Sequence, residues 1–316
     1  GLSNEEASNN QDQLEHFALK LSIYFKTVKE VYTDWTEAFH SLAEKTKNGE
    51  WLVHFDEISW MGQFDPLFSA KLKEAWDTAF YKNSNLNLII CGSVSHWIEE
   101  NIIKNRAYEG RISADIVLQE LSLPEIDEFW AKQSIKMGSL EKMLLLSVTG
   151  GVPKYLEEIL PFQTAEQNII RLCYEPNGLL FQEFDKIFTN IFQRKTKTME
   201  KMVRFIADKR MKPSELAKKA KATFGSAFAE NIRILELAGF VCRDYSFHPD
   251  GSSSNLSYLR LKDNYLRFYL KYIEPYVLKI KQGAKTITAL SELKNFESVM
   301  GLQFENLILS NRELLL

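Results

Sequence analysis

The chain has 316 residues, of which 45% are apolar and 26% charged, a composition typical of a globular protein with more than one domain. Its formal net charge of −3 excludes a basic field over the whole surface, so any contact with nucleic acid requires a local patch. No apolar run reaches membrane-spanning length and no signal peptide is evident, so the sequence predicts no membrane partner. The three separated cysteines, Cys91, Cys173 and Cys242, predict reduced, buried thiols and a cytoplasmic protein. The five histidines show no pair at metal-ligand spacing.

The first third of the sequence alternates between helical and strand patterns. Apolar residues at helical spacing predict two helices, and Thr33 or Asp34 is the expected N-cap of the second. Predicted strands follow at "WLVHF" (51–55), "LNLIICG" (86–92) and "ADIVLQEL" (114–121), with helices near 64–81 and 94–101 between them. This alternation predicts an α/β fold with a three-layer core and a parallel sheet over residues 1–122.

The remainder of the sequence reads as three further units. Residues 123–193 are helical in pattern, with Pro124 at a helix start. Residues 194–263 combine three amphipathic helices with two strands around the turn "HPDGSSSN", the pattern of a winged helix. Residues 264–316 are helical and aromatic, and we expect the sequence to stop within a helix. Since it also begins at Gly1 and enters a helical pattern at once, we expect a piece of a longer protein.

Two adjacent acids, Asp56 and Glu57, follow the apolar strand "WLVHF". In open parallel sheets, ligands bind beyond the carboxyl ends of the strands, where these acids are expected. An apolar strand that ends in Asp-Glu is the Walker B pattern of P-loop ATPases. In that pattern the first acid holds Mg²⁺ through water and the second orients or deprotonates the attacking water. The alternative is that both acids merely begin a polar loop.

Ser93 follows the next predicted strand and is expected at the same edge of the sheet. Its hydroxyl could sense the γ-phosphate of a nucleotide or position the lytic water. The alternative is a cap for the helix that begins in "VSHWIEE", and both roles can hold together.

Several motifs occur in the order found in one ATPase family: "FDEISWM", "LIICGSVSHWI", "EGRIS", "GGVPKYL", "LAGFV" and "LKDNYLRFYLKYIEP". In this order and spacing the chain resembles the archaeal-type ATPases of the STAND branch of AAA+ proteins over nearly its whole length. The resemblance implies a P-loop NTPase-type core, a helical lid over residues 123–193, and ATP and Mg²⁺ as ligands. The family's P-loop, G-x-x-x-x-G-K-[ST], is not found in the chain, and in the family it precedes a segment similar to "GLSNEEASNNQDQLEHFA".

The resemblance also assigns residues outside the predicted sheet edge. Gly151 and Pro153 match the family's G-x-P turn, where the lid approaches the nucleotide, although an ordinary helix connection explains them equally. Arg111 lies where the family keeps an arginine, which could reach a phosphate or hold the sheet to the lid. We expect the structural role for Arg111.

The predicted winged helix carries a local basic cluster that includes Lys218, Lys219 and Lys221. These lysines could bind DNA phosphates beside the helix "SAFAENIRILEL". That helix, however, carries Glu230 and Glu236, which would repel phosphate, so a module that binds a protein partner or a second copy of the chain is an equal alternative.

The last segment resembles the start of a PD-(D/E)xK nuclease-like domain. Glu305, in "GLQFENLIL", matches an acid that helps such nucleases hold Mg²⁺, and its alternative role is a solvent-facing residue of an amphipathic helix. The leading hypothesis is an ATPase that binds and hydrolyses ATP to switch its domain arrangement and that could act on or with DNA. The alternatives are a DNA-binding regulator or nuclease-linked defence factor with a vestigial ATPase, and a nucleotide-gated interaction scaffold.

Overall fold

The computed structural model describes residues 7–92, 95–192, 196–248, 250–284 and 287–314. These residues fold into two compact units, Gly1–Ile116 and Val117–Leu316, which we call unit 1 and unit 2. Each unit has its own hydrophobic core. The boundaries of the four domains expected from the sequence remain predictions.

Unit 1 contains five α-helices and a parallel pair of strands within its described residues. The elements are, in chain order, α1 (Asn10–Phe25), α2 (Trp35–Lys45), β1 (Trp51–Phe55), α3 (Ile58–Gly62), α4 (Phe68–Thr78), β2 (Leu86–Ile90) and α5 (Ser95–Ile98). The predicted N-cap of the second helix is confirmed, because the Asp34 side chain accepts a hydrogen bond from the Thr36 N–H at 2.7 Å. The first two predicted strands are also confirmed.

Strands β1 and β2 pair in parallel, with Trp51 opposite Leu86 and Phe55 opposite Ile90. Because side chains alternate along a strand, Val53 and Phe55 point to one face of this pair, where they join the core of unit 1. On the opposite face, Leu52 is 66% exposed and Ile89 is 46% exposed. The described part of unit 1 therefore has helices packed on one face of the sheet, not the three layers expected.

The predicted third strand, residues 114–121, is wrong for this structure. These residues take no regular secondary structure, and Ile116, Val117 and Leu118 are 71–90% exposed. A strand is held by a ladder of hydrogen bonds to a neighbouring strand, and the described residues form no such ladder with this segment, although Leu121 makes a backbone bond to Gly151. Apolar β-forming residues alone do not make a strand.

Unit 2 is helical apart from one antiparallel hairpin within its described residues. Its helices and strands are α6 (Leu123–Lys132), α7 (Ser139–Thr149), α8 (Pro153–Leu156), α9 (Ala165–Tyr174), α10 (Leu179–Phe192), α11 (Thr196–Asp208), α12 (Pro213–Ala220), α13 (Ser226–Leu237), β3 (Val241–Phe247), β4 (Ser253–Leu261), α14 (Asn264–Phe268), α15 (Val277–Lys281) and α16 (Phe296–Ser310). Pro124 lies in the first turn of α6, as predicted. None of the described helices in either unit is long and apolar enough to cross a membrane.

Helices α11, α12 and α13 and the hairpin β3–β4 follow the predicted order of elements for residues 194–263. Met211 adds an isolated bridge to Leu259 of β4. Buried residues of these elements share one continuous core with α6–α10 and with α16. The last α-helix ends at Ser310, where the Asn311 N–H bonds to the carbonyl groups of Leu307 and Ile308, and a 3₁₀ turn follows over Arg312–Leu314. Residues 315 and 316 lie outside the described residues, so the expectation that the sequence stops within a helix stays a prediction.

Helix α14 begins at a carboxylate that is held away from water. Asp263 accepts the Leu266 N–H at 2.7 Å and is partly buried. Burial, with the neighbouring charge of Glu120, raises the pKa of Asp263 from 3.8 to about 7. The folded state therefore retains a proton that the unfolded chain releases as the pH rises between these two values.

Replacing Asp263 by Asn is expected to change how stability depends on pH. The raised pKa makes the parent lose stability as the pH rises from about 4 to about 7, and Asn keeps the cap but carries no charge. As the pH rises through this range, the free energy of unfolding of Asp263→Asn should increase by roughly 2–4 kcal/mol relative to that of the parent. Urea unfolding of both proteins at pH 5 and pH 7.5 measures the difference. A difference that is the same at both pH values would contradict the buried, protonated carboxyl group.

Candidate functional site

The two acids of the predicted Walker B pattern lie at the carboxyl edge of the parallel strand pair. Asp56 and Glu57 follow β1, and Cys91 and Gly92 follow β2. The Cys91 N–H bonds to the Phe55 carbonyl at 3.0 Å, and the Ile58 N–H bonds to the Cys91 carbonyl at 3.0 Å. These backbone bonds hold the residues that follow β1 beside those that follow β2, at the place where parallel α/β sheets bind ligands.

Glu57 adopts a backbone conformation that is uncommon for its type. Its φ of 49° and ψ of 52° place it in the left-handed region. This conformation costs energy for residues other than Gly, Asn or Asp. Its carboxylate lies 3.8 Å from the point where a Cβ of Gly92 would be. The backbone thus reverses sharply at Glu57, and the Glu57 side chain points toward Gly92, which follows β2.

Asp56 belongs to a hydrogen-bonded group of three side chains. The Cys91 thiol donates to Asp56 Oδ1 at 3.0 Å, and His54 Nε2 lies 3.1 Å from Cys91 Sγ. Burial, together with the carboxylate of Asp56, raises the pKa of the Cys91 thiol above its ordinary value. His54 is exposed, while Asp56 and Cys91 are half-buried, so solvent reaches this group.

Ser93, the predicted sensor of the γ-phosphate, lies outside the described residues. The strands that precede Asp56 and Ser93 are adjacent and parallel, as our interpretation requires. The role of Ser93 itself remains a prediction.

Arg111 binds a carboxylate within unit 1. Its Nε and Nη2 donate to the two carboxylate oxygens of Asp77 in α4, at 2.7 and 2.9 Å, and Lys73 contacts the same acid. These bonds lower the pKa of Asp77 and raise the pKa of Arg111. This two-pronged contact gives Arg111 a structural role within unit 1, and the expected role of holding the sheet to the lid stays a prediction.

Gly151 and Pro153 lie in a tight turn of unit 2 between α7 and α8. The Gly151 N–H donates to Glu120 Oε2 at 2.9 Å, and its carbonyl accepts the Leu121 N–H at 2.9 Å. A Cβ on Gly151 would lie 2.3 Å from the Leu121 carbonyl oxygen. Pro153 is the first residue of α8, where a missing N–H costs nothing. Both residues therefore have structural roles in the turn, and the nucleotide contact stays a prediction.

The three lysines of the proposed DNA contact are exposed at the C-terminal end of α12. The two acids expected to repel phosphate, Glu230 and Glu236, instead contact Arg233 and Arg243 at 3.1 and 2.9 Å. Because each acid is partly neutralised by an arginine, the repulsion inferred from the sequence is smaller than expected.

Glu305 lies on the exposed side of α16. Among the described residues, one group of three His, Cys, Asp or Glu side chains has ligand atoms close enough to share a metal ion, and it contains His54, Asp56 and Cys91. Glu305 is not in this group, so its metal-binding role remains a prediction.

Sequence reasoning missed the part played by His54 and Cys91. The histidines show no pair at ligand spacing along the chain, and all three cysteines were expected to be buried, whereas Cys91 and Cys242 are only half-buried. The signal lies in strand periodicity: His54 and Asp56 are two residues apart and so share a face, and Cys91 follows the neighbouring strand. Combining these two facts would have brought the three residues together.

Comparisons with known proteins include two solved structures and a sequence relative. The fold is similar to that of a Walker-type ATPase of Pyrococcus abyssi, with a TM-score of 0.57 and 15% identity over 84% of this chain and 81% of that one. The ORC2 protein of Aeropyrum pernix, in ADPNP–ADP complexes, aligns over 88% of this chain and 78% of that one, with 12% identity. Its TM-score of 0.47 supports no conclusion.

The sequence relative is an uncharacterized protein of Methanocaldococcus jannaschii, 24% identical over 298 residues. The alignment covers 93% of this chain and 63% of that protein, so the chain spans less than two thirds of its relative's length. No protein-family profile matches the chain. The first structural similarity shows the fold: this is a mixed α/β chain, mostly helical with a small parallel sheet, folded like a Walker-type ATPase.

Proposed function

We propose that the full-length protein binds and hydrolyses ATP with Mg²⁺, using Asp56 and Glu57 at the carboxyl edge of the parallel strands. The observation that carries this proposal is the pairing of β1 with β2, which sets the two acids beside the exit of the neighbouring strand. The fold similarity to a Walker-type ATPase supports the same function.

The residues at this edge fit a magnesium nucleotide. Mg²⁺ prefers oxygen ligands, keeps several of its waters and is held by one or two carboxylates together with the substrate phosphates. Asp56 supplies a carboxylate that is half-exposed and fixed at Oδ1 by the Cys91 thiol. It could therefore accept hydrogen bonds from metal-bound water without a costly desolvation of its charge.

Glu57 would act on the attacking water in this proposal. A carboxylate can accept a proton from water or orient it, and the sharp reversal at Glu57 directs this side chain away from β1 and toward Gly92. The bound ion would offset the charge that develops on the transferred phosphate. Ser93 is proposed to assist at the same edge, and the P-loop to lie in the remainder of the protein.

The finer assignment follows the sequence resemblance. We place the protein in the STAND branch of AAA+ ATPases, with nucleotide state switching the arrangement of its domains. The shared core of α6–α16 supports treating unit 2 as a body that such a switch would move as a whole.

Mg²⁺-dependent ATP binding and phosphate release by the full-length protein test this function. Protein that binds ATP only in the presence of Mg²⁺, and that requires Asp56 to do so, supports the proposal. Folded protein with neither binding nor turnover would contradict it.

A second candidate function is DNA binding through the helices and hairpin of residues 194–263. The neutralisation of Glu230 and Glu236 by arginines favours it, because helix α13 then presents less negative charge than its sequence suggests. Exposed Lys218, Lys219 and Lys221 would bind phosphates beside it.

Changing Lys218, Lys219 and Lys221 together to Gln is expected to weaken DNA binding and its dependence on salt. Three phosphate contacts correspond to a fall of about 3 in the slope of log K against log salt concentration. Titration of duplex DNA at several salt concentrations measures the slope. The matched control changes three other exposed lysines of unit 2, Lys136, Lys281 and Lys294, to Gln, which alters net charge equally. Equal effects of the two triple variants would leave the winged helix as a protein-binding module.

A further inference from the structure

The group His54, Asp56 and Cys91 presents three different metal-ligating atoms to one point. The His54 nitrogen, the Cys91 sulfur and an Asp56 oxygen all lie within 4.8 Å of one another. Imidazole, thiolate and carboxylate are the side-chain ligands that proteins use for Zn²⁺. Zinc bond lengths of about 2.0–2.3 Å in tetrahedral geometry separate ligand atoms by about 3.5 Å. The hydrogen-bonded atoms, at 3.0 and 3.1 Å, need to part by only a few tenths of an ångström.

The backbone holds these ligands in place before any ion binds. His54 lies in β1 and Asp56 directly follows this strand, and Cys91 is fixed beside them by the bonds that join it to Phe55 and Ile58 at 3.0 Å. The Glu57 N–H also donates to Cys91 Sγ, which adds a further contact that holds the sulfur in position. Ligands fixed on paired strands lose little conformational entropy when they bind an ion.

We propose that His54, Asp56 and Cys91 form a binding site for Zn²⁺ or a similar transition-metal ion, which competes with Mg²⁺ for Asp56. On binding, the thiol of Cys91 releases its proton to solvent and the thiolate sulfur, neutral His54 Nε2 and Asp56 oxygen each donate an electron pair to the ion. Three protein ligands leave a fourth position for water or another oxygen ligand. Mg²⁺ does not favour sulfur and nitrogen ligands, so the ion at this edge would depend on which metal is present.

The zinc site itself stands independently of ATPase activity, whereas the competition rests on the proposed function because it assumes that Asp56 holds Mg²⁺. In this competition, Zn²⁺ would weaken binding of Mg²⁺-ATP because it occupies the Asp56 carboxylate and cancels its negative charge. Such a site would make nucleotide binding sensitive to transition-metal ions.

Co²⁺, which takes the place of Zn²⁺ and reports thiolate ligation by a near-ultraviolet charge-transfer band, tests the site in nucleotide-free full-length protein. We expect the band in the parent, its loss in Cys91→Ser, and at least tenfold weaker Co²⁺ binding in His54→Gln. Cys242→Ser is the matched control, because Cys242 is also half-buried beside a carboxylate, with Asp244 Oδ1 at 3.8 Å. Circular dichroism verifies that each variant is folded.

A parent protein without the thiolate band, or a band that persists in Cys91→Ser, would overturn the site. In a second arm, ATP-analogue affinity is measured in Mg²⁺ with and without Zn²⁺, and we expect at least a tenfold loss in the parent and a smaller loss in Cys91→Ser. Equal losses in both proteins would overturn the competition. If the protein shows the Co²⁺ band but binds no nucleotide, the metal site is supported and the proposed ATPase function is refuted.

Discussion

Glu57→Gln is expected to leave ATP bound while slowing phosphate release roughly 100-fold or more. The amide keeps the size of the side chain and the sharp reversal of the backbone, but it cannot accept a proton from water. Asp56→Asn should act differently and weaken Mg²⁺-dependent ATP binding about 10- to 100-fold, because a charge-assisted hydrogen bond to metal-bound water contributes about 1.5–3 kcal/mol. The two acids should therefore separate binding from hydrolysis.

Both variants are compared on the same preparations of full-length protein, with nucleotide binding and phosphate release measured side by side. Glu50→Gln is the matched control, since this exposed acid precedes β1 at the opposite end of the strand. It should behave as the parent. Hydrolysis by Glu57→Gln at the parent rate would remove Glu57 from catalysis and leave it as a turn residue.

Gly151→Ala is expected to destabilise unit 2 by roughly 2–3 kcal/mol, because there is no room for a methyl group. The added Cβ would lie 2.3 Å from the Leu121 carbonyl oxygen and 2.9 Å from its nitrogen, and these are backbone atoms that cannot swing aside. Relief requires breaking the bonds between Gly151 and residues 120–121. Thermal unfolding should show the loss as a melting temperature lower by roughly 5–10 °C.

Gly138→Ala provides the comparison for this change. Gly138 caps α7 with a φ of −67°, and a Cβ there meets nothing within 4 Å. It should unfold within about 1 kcal/mol of the parent, because Ala is a poorer N-cap than Gly but meets no steric clash here. If Gly151→Ala were equally silent, the close approach of the turn to Leu121 would be wrong.

The elements that the sequence predicted well are those with local signals. Asp34 and Pro124 mark helix starts because capping and proline geometry act within a few residues. The strands β1 and β2 are apolar runs of the right length, and their parallel pairing follows from the helices between them. These features placed Asp56 and Glu57 at the sheet edge from sequence alone.

What failed depended on distant partners. Ile116, Val117 and Leu118 have the composition of a strand, but a strand needs a neighbour that local pattern cannot supply. The group of His54 and Cys91 around Asp56 was missed because it joins residues 37 positions apart through strand register. The arginine partners of Glu230 and Glu236 were not predicted for a similar reason, since Arg243, the partner of Glu236, comes from β3.

The proposed function requires that Asp56 hold Mg²⁺-ATP at the carboxyl edge of β1. Equilibrium binding of a fluorescent ATP analogue to full-length protein, titrated with Mg²⁺ for the parent and for Asp56→Asn, tests it most directly. We expect Mg²⁺ to strengthen binding to the parent, and we expect Asp56→Asn to lose at least tenfold of this gain. Identical Mg²⁺ dependence in the two folded proteins would contradict it.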